Sequence, residues 1–193
     1  TQGVSSAASD VYKRQRQEYS GRVALLGTGL YQGARKAAEH LIACGCRHIV
    51  FADRISQNGH ASKPDDLRLR GMVDALEAAG MSLPQESIIS GRHSHEEMAE
   101  AVKQKLKSGV KIDGIFGKDD SIAHTAMMAA IQSGFRVPED IKVVGFDDSS
   151  ISRFCSPSMT TMRVDQKNIA KTAIDMLTKM VAGEQPELSL IHI

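Results

Sequence analysis

The sequence predicts an α/β fold, a parallel sheet with helices on both faces. Short apolar runs alternate along the chain with stretches of helical period. The runs at residues 48–52, 114–116 and 141–146 are mostly apolar or β-branched, the pattern of strands buried on both faces. Helical stretches close at Gly45, Gly80, Gly134 and Gly183, where a left-handed cap residue is expected.

Taken in order, residues 23–26 are a strand candidate. Residues 32–43 follow as a helix with Ala34, Ala37, Ala38, Leu41 and Ile42 on one face. Residues 48–52 read as a buried strand. The polar loop 54–64 carries Asn58-Gly59, a turn signal. Residues 66–79 are a helix with Leu69, Met72, Val73 and Leu76 inward, and 87–90 are a short strand. Residues 95–107 are a helix with Met98, Val102 and Leu106 four apart. A strand at 114–116 and a helix at 121–133 come next. Pro138 and the acidic pair after it close a surface turn before the strand 141–146. Residues 159–164 are extended. The last helix, 168–182, carries Ile169, Ala173, Met176, Leu177 and Met180 on one stripe. Right-handed crossovers place the strand ends and their loops on one edge, and in such sheets ligands bind outside the carboxyl ends.

Bulk properties bound the function. The chain has 193 residues, 41% hydrophobic and 24% charged, enough for one globular domain with part of a second. A net charge of +1, with basic and acidic residues interspersed, gives no electrostatic footprint for nucleic acid. No apolar run could span a bilayer, so no membrane partner is expected. Cys44, Cys46 and Cys155 make no disulfide framework, which points to the cytoplasm. The termini, notably residues 5–15 and 188–193, fit no neighbouring pattern and read as non-native tails.

Two carboxylate pairs stand at strand ends. Asp119-Asp120 follows the strand 114–116 and precedes a helix. One of the two is expected to cap that helix, worth about 1 kcal/mol, leaving the other for a ligand. Asp147-Asp148 repeats the arrangement after the strand 141–146. A carboxylate accepts from two vicinal hydroxyls at once, and each charge-assisted bond contributes roughly 1.5–3 kcal/mol. Arg68 stands in a first helical turn, unfavourable toward the helix dipole. It reads either as a solvated charge or as a guanidinium projecting into the same cleft as the carboxylates. Other signals carry nothing. Gly114-Ile-Phe-Gly-Lys118 lacks the glycine spacing and the hydroxyl of a phosphate loop. His124 has no second histidine nearby, and Cys44-Gly-Cys46 is neither a redox nor a zinc motif, so no metal and no cofactor is expected. No nucleophile elbow or Ser/His/Asp order is visible, so the chain is not expected to be an enzyme.

Five blocks resemble one known family. Residues 33–49, GARKAAEHLIACGCRHI, are similar to the "g…A.eHLi..GHr.I" block of the lactose/galactose repressor (LacI/GalR) family. Arg68-Leu-Arg-Gly-Met72 resembles its "R..GF" helix start, and residues 113–123 its "daif..ND.mA" block. Residues 137–148 resemble "vP.disvvGfDd", and Pro157-Ser-Met-Thr-Thr161 resembles "P.LTT". The resemblance implies a periplasmic-binding-protein-like core of two α/β subdomains with a small effector, often a sugar or nucleobase, between them. It puts Arg68, Asp119 and Asp147 on effector-contacting positions, and His93 where some members place a stacking side chain. The family usually has Asn at the position of Asp119. An acceptor-only carboxylate there favours a hydroxyl-rich ligand.

The same resemblance implies a division of the chain. Residues 1–19 and 187–193 are expected to be non-native tails, and 20–47 a remnant of an N-terminal subdomain. Residues 48–161 would form a complete C-terminal subdomain, and 162–186 a return segment and helix to the other. Ala37, Leu41, Ile169 and Leu177 would then form an exposed apolar patch and give poor solution behaviour. The implied function is effector sensing in a cytoplasmic, homodimeric transcription regulator that reaches operator DNA only through an absent N-terminal head. A secreted sugar receptor of a transport system is the alternative. An enzyme using Asp119 or Asp147 as a base is the third, without a nucleophile or cofactor loop to support it.

Overall fold

The computed structural model describes residues 26–63, 66–184 and 189–190. The expectations on residues 1–25 and 191–193 lie outside them, as does most of the 23–26 strand. In chain order the elements are β1 (Leu26–Gly27), α1 (Leu30–Ala43), β2 (Ile49–Ala52), α2 (Leu67–Ala78), β3 (Ile88–Ile89), α3 (His95–Lys107) and β4 (Gly114–Gly117). They continue with α4 (Asp120–Gln132), β5 (Lys142–Asp147), α5 (Ser150–Phe154), β6 (Thr160–Arg163), α6 (Gln166–Val181) and β7 (Ser189–Leu190). A five-stranded sheet runs in the order β3-β2-β4-β5-β6, every neighbouring pair parallel. β1 and β7 pair separately, also in parallel.

The parallel sheet follows from its side chains. Alternate residues of each strand face opposite ways, and in β2, β4 and β5 both sets are buried. Phe51, Phe116, Val144 and Phe146 lie in one buried cluster with the inner faces of α1 and α2. Val50, Ala52, Ile115 and Val143 lie in another with α3 and α4. Phe51 and Phe116 meet edge to face, with ring centroids 5.6 Å apart. Both sides of the sheet must therefore be covered.

That requirement corrects one expectation. Ala37 and Leu41 are not part of an exposed patch; both are fully buried. The aromatic face of the sheet needs a cover, and α1 with α2 supplies it. Gly71 in α2 sits so close to α1 that a Cβ there would overlap the Tyr31 carbonyl oxygen and lie 3.1 Å from the Arg35 nitrogen. The Tyr31 hydroxyl donates to Asp74 at 2.6 Å across the same helix pair. The packing consequently does not divide at residue 47, and α1 belongs to the layered unit of β2–β6. In α6, Leu177 of the expected patch is exposed, whereas Ile169 is half-buried. Ile174, Leu177 and Val181 are exposed, and only Met176 of that helix is buried.

Smaller differences have local causes. Ile88–Ile89 is all that pairs of the 87–90 strand, because a 3₁₀ turn at Gln85–Ser87 uses the residues before it. The one-turn helix α5 is too short to show a period in the sequence. Among the described residues no helix is long and apolar enough to cross a membrane.

Candidate functional site

All five strands run the same way, so Asp53, Lys118, Asp119 and Asp147 come to one edge of the sheet. The chain passes from β2 outward to β3 and then returns across β2 to β4. That reversal opens a crevice at the carboxyl ends of β2 and β4, the position where open α/β sheets take ligands.

Arg68 reaches this edge from α2. Asp66 caps that helix, its Oδ1 accepting from the Arg68 N–H at 3.0 Å and the Leu69 N–H at 3.4 Å. The Arg68 Nη2 donates to Asp147 Oδ1 at 3.0 Å. The guanidinium carbon lies 4.5 Å above the centre of the buried Phe146 ring. An arginine disfavoured by the helix dipole is thus held by a carboxylate and an aromatic face. Its Nε is buried with no hydrogen-bond partner, a donor left for something else.

Asp147 ends β5 at φ 102°, and Asp148 follows at φ 52°. Two successive non-glycine residues at positive φ cost on the order of 1–3 kcal/mol each, and such strain clusters at ligand sites. Burial raises the Asp147 carboxyl above its ordinary range; Arg68 pulls the other way, and Asp119 and Asp120 add to the rise. Asp148 is spent on structure. It pairs with Arg163 at 2.6 Å and Arg153 at 3.6 Å. These residues, with Asp147, Asp165 and Lys167, line an open cavity of about 410 Å³.

The Asp119-Asp120 pair divides its labour. Asp119 caps α4, with Oδ1 accepting from the Ile122 N–H at 2.9 Å. Its other oxygen has no hydrogen bond among the described residues. Asp120 is buried and accepts from the Ser149 N–H at 2.5 Å and from the Thr161 hydroxyl. It ties the start of α4 to α5 and β6. Gly145 permits this, since a Cβ there would strike the Asp120 carboxylate.

His93 stands apart. Its ring Nδ1 lies 3.0 Å from the Gln57 carbonyl, its backbone N–H donates to Glu97, and Gly59 packs against the ring. It braces the turn in the loop after β2. Among the described residues no contact joins it to Arg68, Asp119 or Asp147.

Sequence reasoning missed a buried ionic network beside Arg68. Lys118 donates to Asp66 Oδ2 at 2.8 Å and to the Ser62 hydroxyl, and lies 3.6 Å from Asp53. Asp53 is 1% exposed and accepts from the Arg54 and Ser62 N–H groups at 2.7 Å each. Burial opposes ionisation of Asp66, but Lys118 and the two helix N–H groups together hold its carboxyl below the ordinary range. The available signal was position. Asp53 and Lys118 each follow directly on a buried apolar strand, at the carboxyl edge.

Residues 38–192 match the family described as the periplasmic binding protein-like domain. The chain belongs to that family.

The relatives of this periplasmic-binding-protein-like chain agree with the motif resemblance. It is 29% identical over 164 residues to the transcriptional repressor PurR of Salmonella arizonae, covering 84% of this chain and 47% of the repressor. PurR of Klebsiella pneumoniae gives the same identity and coverage. Among solved structures, a putative LacI-family regulator from Sanguibacter keddieii is similar at 29% identity and TM-score 0.76, over 91% of this chain and 65% of that one. The regulator CelR, solved in complex with cellobiose, is similar at 27% identity and TM-score 0.75, over 89% and 51%. The chain spans about half the length of the curated relatives it matches.

Proposed function

We propose that the chain is the effector-sensing core of a LacI-type transcriptional regulator, and that its effector is a small hydroxyl-rich molecule of the sugar class. The observation that carries this reading is the Arg68–Asp147 pair at the carboxyl edge, 3.0 Å apart over Phe146. Arg68 Nε is a buried donor without a partner, and Asp119, close enough to Asp147 to raise its carboxyl, caps α4 through one oxygen and keeps the other for an acceptor role. Vicinal hydroxyls donate to a carboxylate and accept from a guanidinium, so one polyol satisfies both ends. His93, where the family resemblance places a stacking side chain, braces the loop after β2 through Gln57. Its relatives, a repressor and a regulator solved with cellobiose, support the regulator over the transport receptor.

On this reading the ligand bridges Arg68, Asp119 and Asp147 to a facing subdomain. Closure then changes the spacing of DNA-binding heads in a cytoplasmic homodimer. Such coupling is typically about 1–3 kcal/mol, or roughly 5- to 150-fold in operator affinity. Operator DNA is reached only through the N-terminal head.

The test is fluorescence anisotropy of the full gene product on its own upstream DNA, with and without a panel of sugars. A change of about fivefold or more with one sugar is expected. Specific retention of the present chain alone at physiological salt, or operator binding indifferent to the whole panel, contradicts the proposal.

A further inference from the structure

Next to the Arg68–Asp147 pair lies a second, smaller cavity of about 240 Å³, lined by Arg54, Ser62, Lys63, Asp66 and Lys118. Whole-ligand pockets run roughly 300–1,000 Å³, so this one suits a single substituent rather than a molecule. It adjoins the effector edge through Asp66, which lines it and caps the helix turn that carries Arg68.

Its charges are arranged unequally. The carboxylates are sealed. Asp66 Oδ1 is taken by two helix N–H groups and Oδ2 by Lys118. Asp53, behind Lys118, holds the Arg54 N–H through Oδ1 and the Ser62 N–H through Oδ2, with the Ser62 hydroxyl also on Oδ1. Neither acid presents an open oxygen to a ligand. The cations are not sealed. The Arg54 and Lys63 side chains are exposed and have no ion pair among the described residues. Lys118 forms the floor, 91% buried, its position fixed by Asp66 and Ser62. A neutral substituent gains little here, whereas a multiply charged anion meets two cations with no ion pair among the described residues, above an ammonium already held by Asp66 and Asp53. A guanidinium fork and an ammonium are the side chains that bind phosphate best.

We propose that this cavity is an anion subsite of the effector cleft, and that the effector is a phosphate-bearing, hydroxyl-rich small molecule such as a sugar phosphate. The inference rests on the effector reading above. The hydroxyls meet Arg68, Asp119 and Asp147, and the phosphate enters between Arg54, Lys63 and Lys118.

Calorimetric titration of the full chain tests it, using matched pairs such as glucose with glucose 6-phosphate and fructose with fructose 6-phosphate, and inorganic phosphate alone. At least one phosphorylated sugar is expected to bind about tenfold or more tighter than its parent, with the advantage shrinking as salt rises. The double variant Arg54→Gln/Lys63→Gln is expected to lose most of that advantage. Asp147→Ala is expected to weaken parent and phosphorylated sugar alike. Inorganic phosphate is expected to compete with the phosphorylated sugar. Equal affinity of every parent and its phosphate, or an advantage that survives the double variant, overturns the anion subsite and leaves the effector reading standing. Absence of binding by every pair overturns both.

Discussion

Replacing Lys118 by Met tests how much the hidden ionic network contributes to the fold. Methionine keeps most of the stem volume and removes the ammonium. Removing one partner of a buried ion pair costs about 3–5 kcal/mol, because the remaining charge is left in a poor dielectric. Asp53 would keep its N–H and O–H donors from Arg54 and Ser62, and Asp66 would keep its two helix N–H groups. The loss should therefore fall at the low end, about 3 kcal/mol. For a chain of this size each kcal/mol lowers the melting temperature by about 2–4 °C, giving a drop of roughly 6–12 °C at pH 7. Circular dichroism at 222 nm measures it. The pH dependence carries a sign. Asp66 is held below its ordinary 3.8, so its contribution is present above that value and lost as pH falls through the lowered native one. Without Lys118 this contribution is reduced, and the gap between the two proteins should narrow on acidification. A variant as stable as the parent at pH 7, or a gap that persists unchanged into acid, refutes the argument.

Three further predictions follow from packing and charge. Gly71→Ala should destabilise by about 1–2 kcal/mol in urea unfolding, because overpacking against the Tyr31 carbonyl outweighs about 1 kcal/mol of helix propensity; a more stable variant would mean the two helices are not in backbone contact. Tyr31→Phe should cost about 1–2 kcal/mol at pH 8 through the lost bond to Asp74. Burial and Asp74 push the Tyr31 hydroxyl up to about 12, so its contribution is full below 10.0 and is lost as pH rises toward 12; an equal gap at pH 8 and pH 11.5 would contradict it. Sugar binding should weaken as pH falls through the raised value of Asp147, beginning above 3.8, and Asp147→Asn should abolish that dependence. Calorimetry between pH 4 and 8 reads the difference.

Elements with a period or a strong cap were legible in the sequence. Residues 95–107 came out as α3 with the same bounds, because Met98, Val102 and Leu106 repeat four apart and Ser94 supplies the cap. Where packing decides, the sequence misled. The small residues Ala34, Ala37 and Ala38 mark a close helix contact, but nothing local says which sheet α1 covers. The Arg68–Asp147 pair was legible as two charges at elements bound for one edge. Its neighbour network was not, since Lys118, Asp53 and Ser62 are brought together only by folding, across 56 and 9 residues of chain. His93 shows the converse. The resemblance singled it out by its position in the chain, while the contact of its ring Nδ1 with the Gln57 carbonyl exists only in the fold.

The most direct measurement is calorimetry of the best-binding sugar on the parent, Arg68→Met, Asp147→Ala and, as a remote control, Arg136→Gln, whose exposed pair with Asp140 lies on the turn before β5. The account predicts that Arg68→Met and Asp147→Ala each weaken binding about tenfold or more, and that Arg136→Gln binds as the parent does. Undiminished binding by both cleft variants would contradict it.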